Sequence, residues 1–184
     1  VLVTGATGFV GSAVRRELRK QDVSVKLLVR NRVQITAAEE LEIIDDIFAL
    51  KAADWIKLLE GIDTIIHCAW YVKHSDYLVS PTNLNCMAGT LELVKALSNR
   101  RACTFIGLGT CLEYDLTAQP LGPDTPENPT CLYAECKVAV KRLAWQLLRE
   151  SDSSVVWARL FYLFGEGEQN TRLYPSVLRA IKKN

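Results

Sequence analysis

The chain opens VLVTGATGFVGSAV (residues 1–14): a β-branched run, glycines at 5, 8 and 11, then apolar residues at helical spacing, Val10, Ala13, Val14 and Leu18. Glycine permits a tight turn and lets another group approach the backbone closely, and the free N–H groups of a following helix attract an anion. A glycine trio alone is weak evidence. Set between a strand and an amphipathic helix, with a second apolar run (VSVKLLV, 23–29) at the right distance, it reads as a turn that cradles a pyrophosphate.

Outward from that turn, strand-like runs recur at 41–44 (LEII), 62–69 (IDTIIHCA), 102–109 (ACTFIGLG) and 153–161 (SSVVWARLF). Helical patterns lie between them, including Met87, Leu91 and Val94. Runs this apolar suit strands buried on both faces, so the expected class is α/β, a doubly wound parallel sheet. No repeat or linker divides the chain, and 184 residues suit one domain.

Composition narrows the function. The formal charge of +1 gives no electrostatic footprint for nucleic acid. The basic clusters Arg15, Arg16, Arg19 and Lys20, Arg100 and Arg101, and Lys182 and Lys183 read as solvated faces or helix ends. No apolar run nears the roughly 18 residues of a membrane span, and no charged segment precedes an apolar one as in a signal peptide. The first residue is Val1, not Met. Six cysteines without a CxxC pair and two histidines offer no metal site, and reduced thiols in the cytoplasm are the simplest account. The segment QPLGPDTPENPT (119–130), with prolines every third residue, reads as a stiff surface loop from which the next helix starts abruptly.

That next helix carries Tyr133 and Lys137, four apart and therefore on one face. Of the six tyrosines, only Tyr133 has a lysine at this spacing. The TGxxGxxG spacing together with YxxxK resembles the short-chain dehydrogenase/reductase superfamily, and more narrowly its extended branch, the NAD-dependent epimerase/dehydratase family of sugar-nucleotide enzymes. GTCLEYD (109–115) resembles the family segment that places a catalytic Ser or Thr four residues before a Tyr, here Thr110. HCAW (67–70) resembles HxAA, with Trp70 replacing the second alanine. NLNCMAGT resembles the helix with an N…GT signature, although Asn85 lies one place further from Gly89 than usual. ARLFYLFGEGE resembles RxxNVYGPG, with Tyr162 for Asn and Glu166 for Pro.

The resemblance implies a Rossmann-type NAD(P)-binding domain over residues 1–170 and, over 171–184, the start of a substrate-binding lobe otherwise largely absent. It implies that Gly5, Thr7, Gly8, Phe9, Val10 and Gly11 line the pyrophosphate, that Asp46 and Ile47 meet the adenine, and that Ala69 and Asn85 pass near the cofactor. Thr110, Tyr133 and Lys137 would be catalytic, with Tyr133 as acid/base, Thr110 binding the same oxygen, and Lys137 also holding ribose hydroxyls. A phenol titrates near ~10, so reaching about 7 takes roughly 4 kcal/mol of anion stabilisation, which Lys137 and a positive nicotinamide would share. An acidic residue usually ends the second strand in NAD sites. Here Val29 stands there and Arg30 follows, which leans the cofactor towards NADP over NAD. Cys111 and Leu112 replace the Asp and Glu of dehydratases, leaving epimerisation or ketosugar reduction of a nucleotide-sugar. Relatives dimerise through two helices, here 83–98 and 133–150, and Ala134, Val138 and Trp145 are expected to add apolar surface for a partner. The alternative is a non-catalytic dinucleotide-sensing regulatory protein, though such relatives typically lose the Tyr or the Lys.

Overall fold

The computed structural model describes every residue except Arg100, Arg101, Gln119, Asn170 and Asn184, together with the side chains of all but Lys182 and Lys183 among the rest. The expected basic pair at 100–101 and the side chains of the pair at 182–183 therefore lie outside the described residues. Among the described residues the elements run β1 (Leu2–Thr4), α1 (Phe9–Leu18), β2 (Val25–Val29), β3 (Glu39–Ile43), α2 (Ala52–Leu58), β4 (Thr64–His67), α3 (Thr82–Leu97), β5 (Thr104–Thr110), α4 (Leu132–Leu148), β6 (Ser154–Leu160) and α5 (Leu173–Lys183). A 3-10 turn, Cys111–Glu113, follows β5. The strands form one sheet in the order β3-β2-β1-β4-β5-β6, and every pairing is parallel. This is the Rossmann-like α/β arrangement, whose order reverses between β1 and β4.

Register explains the two-sided core. Leu2, Ile65 and Phe105 are paired neighbours and, with Leu28, join a cluster with Trp55 and Leu59 of the α2 region, Leu93 and Leu97 of α3, and Ala144 and Leu148 of α4. One residue along, Val3, Leu27 and Ile66 are paired neighbours on the opposite face, where Leu18 of α1 packs. Burial on both faces holds for β1 and not at the edges. β3 is partly exposed, and β6 leaves Val156 48% exposed, because an outermost strand has a neighbour on one side only.

Two helix faces differ from expectation. On α3 the buried stripe is Asn83, Cys86, Thr90, Leu93, Val94 and Leu97, while Met87 and Leu91 are half-buried. On α4, Ala134 and Val138 are buried within the chain itself and so cannot serve as surface for a partner. Each residue turns the helix by about 100°, so a stripe displaced by one residue faces elsewhere. The proline segment returns to the 3-10 turn: Asp115 N–H donates to the Pro126 carbonyl at 2.7 Å and Asn128 N–H to the Glu113 carbonyl at 3.0 Å. The apolar residues of α5, among them Leu173 and Ile181, are exposed. Among the described residues, no helix is long and apolar enough to cross a membrane.

Candidate active site

The glycine turn lies at the crevice between β1 and β4. Gly5 has φ +65°, and a Cβ there would sit 2.7 Å from the Ala69 nitrogen, so the ends of the two strands meet backbone to backbone. Gly8 N–H donates to the Gly5 carbonyl at 2.9 Å, and a Cβ on Gly11 would overlap that same oxygen. Thr7 and Gly8 are exposed, while Phe9 and Val10 are half-buried. Gly8 caps α1 without a side-chain hydrogen bond, and the first turn of α1 holds no acidic residue. The helix therefore presents N–H groups to an incoming anion without a competing carboxylate, which fits a diphosphate.

The other expected cofactor contacts come from other elements of the chain. Arg30 is exposed immediately after buried Val29. Asp46 is exposed and one of its oxygens accepts Phe48 N–H at 2.9 Å, whereas Ile47 belongs to the core cluster. Asn85 is exposed, while Asn83 and Cys86 on the same helix are buried. The thiol of Cys86 is within electrostatic reach of Lys137.

His67 braces this region. Thr90 Oγ1 donates to the Cys86 carbonyl at 2.7 Å, so His67 Nε2–H must donate to Thr90 Oγ1, 3.0 Å away. Burial, with the Lys137 charge adding to it, pushes the ring down to about 3 and keeps it neutral. Its bare Nδ1 then accepts from Thr4 Oγ1 at 2.9 Å, and Thr4 in turn accepts Ala69 N–H at 3.2 Å.

Thr110 closes β5, with its Oγ1 accepting Leu112 N–H at 3.3 Å and its own N–H donating to Glu113 Oε1 at 2.9 Å. Glu113 is fully buried and also takes Trp157 Nε1–H at 3.0 Å and Arg159 Nε–H at 2.7 Å. Arg159 in turn reaches Glu127, which pairs with Lys141 and Arg142 as well. Thus the proline segment, α4 and β6 are tied to the end of β5 by charge.

Tyr133 begins α4, its N–H donating to the Leu78 carbonyl at 3.1 Å. Its ring meets Tyr77 edge-on at 5.1 Å and Trp70 at 6.4 Å between centroids. Lys137 Nζ lies 3.7 Å from the Trp70 ring centroid and 5.8 Å from that of Tyr133, and among the described residues no carboxylate forms an ion pair with it. Burial pushes the lysine down to about 7, against the pull of Glu113. The phenol moves opposite to the expected direction: burial first, then Tyr77 and Glu113, raise it. Burial of the phenol outweighs what the neighbouring Lys137 could do to acidify it. Trp70, Tyr77, Asn83 and Glu113 are site neighbours that motif spacing did not reveal, although the departure from alanine at Trp70 was a signal.

A family model described as the NAD dependent epimerase/dehydratase family matches residues 1–184. The chain is 23% identical over 185 residues to dTDP-6-deoxy-L-talose 4-dehydrogenase (NAD(+)) of Aggregatibacter actinomycetemcomitans, covering 98% of this chain and 67% of that protein. It is 25% identical over 180 residues to UDP-arabinose 4-epimerase 1 of Arabidopsis thaliana, covering 90% of this chain and 43% of that one. The crystal structure of UDP-glucuronic acid 4-epimerase from Bacillus cereus in complex with UDP-glucuronic acid and NAD superimposes with a TM-score of 0.81 at 21% identity, over 99% of this chain and 62% of that chain. The chain thus spans 43% to 67% of the length of these relatives.

Proposed function

The chain belongs to the NAD dependent epimerase/dehydratase family, and on that premise we propose that it forms the dinucleotide-binding part of an enzyme that oxidises or reduces a nucleotide-sugar at a hydroxyl or keto carbon. The observation that carries this reading is the placement of Tyr133 and Lys137 on one face of α4, with the phenol in electrostatic reach of Cys111 and Glu113 just beyond Thr110. A dinucleotide held by the glycine turn and Lys137 would supply the hydride acceptor and a positively charged ring. Tyr133 takes the sugar hydroxyl proton as its carbon is oxidised and returns it in the reverse direction. Thr110 holds the same oxygen in line, and Lys137 keeps a cation near the phenolate. Cys111 is a buried thiol pushed up by that burial, and Leu112 has no proton to give, so neither supports dehydration. Epimerase and ketoreductase are the reaction types that remain.

Two of the relatives named above, the dTDP-6-deoxy-L-talose 4-dehydrogenase (NAD(+)) and the UDP-glucuronic acid 4-epimerase, act with or carry NAD. For this chain, Val29 brings no carboxylate to the end of β2 and Arg30 is exposed beside it, which favours a 2′-phosphate and hence NADP. We propose also that α3 and α4 pair with those of a second copy, through exposed Leu84, Leu143, Trp145 and Leu147. The non-catalytic sensor remains the second reading because the phenol is raised. The test is turnover of a panel of UDP- and dTDP-sugars by the chain in its full-length protein. Tyr133→Phe should lower kcat by about 10²–10⁴-fold with dinucleotide affinity unchanged, and near-normal kcat would remove Tyr133 from its role. Tight dinucleotide binding with no turnover on any sugar would favour the sensor.

A further inference from the structure

The reaction proposed above needs no indole, yet Trp70 is held from three directions. Its Nε1–H donates to Asn83 Oδ1 at 2.8 Å. Asn83 is fully buried and is itself fixed, its amide donating to the Tyr77 and Ser80 carbonyls at 2.6 and 2.9 Å. Phe48 and Tyr133 meet the ring edge-on, each with a centroid 6.4 Å away. An indole tethered by its N–H and wedged by two rings cannot slide or turn, and the face it presents carries the Lys137 ammonium at 3.7 Å.

Among the described residues, no hydrogen bond or ion pair anchors that ammonium. A lysine head sits on a flexible four-carbon stem, and a counter-charge usually fixes it. The nearest substitute here is the electron-rich ring face, which attracts a cation most strongly where water is excluded. Lys137 is 3% exposed, and so meets that condition. Resting on the dinucleotide reading of the site, we propose that Trp70 is a positioning residue, whose indole face holds the Lys137 ammonium beside Tyr133 ready for the ribose of a bound dinucleotide. Asn83 sets the angle of that face, which gives a buried polar residue of α3 a part in the site.

The test joins a spectroscopic signature to a double-mutant cycle. Ring current should move the Lys137 ε-methylene protons upfield of the other lysines, with Lys137→Met identifying the signal by its loss. Trp70→Leu should return the signal to the common position and weaken NADPH or NADH binding about tenfold by calorimetry. In a Lys137→Met background the same change should cost less than about twofold. Trp70→Phe, which keeps a ring but loses the Asn83 tether, should retain part of the shift and weaken binding about threefold. An unshifted Lys137 signal in the unmodified chain, or an equal cost of Trp70→Leu with and without Lys137, overturns the proposal. So does a Trp70→Phe chain that binds as tightly as the unmodified one after losing the shift. Failure of the unmodified chain to bind either dinucleotide, with the shift intact, would instead overturn the dinucleotide reading and this role with it.

Discussion

Lys137 and Lys141 sit one turn apart on α4, are 3% and 2% exposed, and live in opposite surroundings. Lys141 pairs with Glu127, which Arg142 and Arg159 also contact, and Arg159 continues the chain of charge to Glu113. Lys137 has ring faces in place of a carboxylate. The two show that burial alone does not decide what a lysine is for. A counter-charge uses up the donors and ties elements together. Without one, the amine remains available to a ligand at a cost in stability.

The largest expected effect breaks the paired side. Lys141→Met removes one of three cations around Glu127, and it should destabilise by about 2–4 kcal/mol in urea unfolding. Dinucleotide affinity should stay within about twofold, since Lys141 faces the structural network. If Lys141→Met weakened dinucleotide binding as much as Lys137→Met, the division between the two lysines would fail.

Arg30 sharpens the comparison as a third cation, exposed and without an ion pair among the described residues. A charge-assisted contact to a 2′-phosphate is worth about 1.5–3 kcal/mol, so Arg30→Ala should weaken NADPH roughly ten- to a hundredfold and leave NADH nearly unchanged. Equal losses for both, measured by calorimetry, would count against the phosphate contact.

Lys137→Met should act in the reverse sense to Lys141→Met: stability at pH 7 rises by about 1–3 kcal/mol, while dinucleotide binding weakens. The pH dependence follows from the direction of the shift. The folded chain holds the amine at about 7, below its ordinary 10.5, so between those values the unfolded chain binds more protons. Stability from this group therefore climbs as pH rises above about 7, and the penalty is fully present below it. The advantage of Lys137→Met should shrink accordingly towards pH 10 in urea titrations, and a constant advantage would contradict the unpaired amine.

The smallest effect concerns the exposed side of the same helix. Trp145→Ser should weaken self-association severalfold, a loss of roughly 1 kcal/mol, with little change in fold stability. Sedimentation of the unmodified chain as a monomer at micromolar concentration would remove the dimer.

The sheet was legible because its signals are local. The glycines at 5, 8 and 11 and the apolar run of each strand lie within a few residues, whereas the order of the strands is set by long-range pairing. The Tyr133–Lys137 pair was legible for the same reason, as neighbours one turn apart. What lay beyond reading was rotation and distance. Asn85 and Asn83 are two residues apart in sequence but point to opposite environments, and Ala134 and Val138 turned out to face the core. Trp70 and Lys137 are brought together only by the packing of the loop after β4 against α4, so the raised phenol and lowered amine could not be foreseen from spacing.

The hydrogen bonds through His67 have a fixed polarity. They start at the Ala69 amide, pass through Thr4, the imidazole and Thr90, and end at the Cys86 carbonyl. Both termini are peptide groups that neither gain nor lose protons near neutral pH. Such a line cannot conduct. It is a strut with an arrowhead, and its tautomer is written into the backbone at each end.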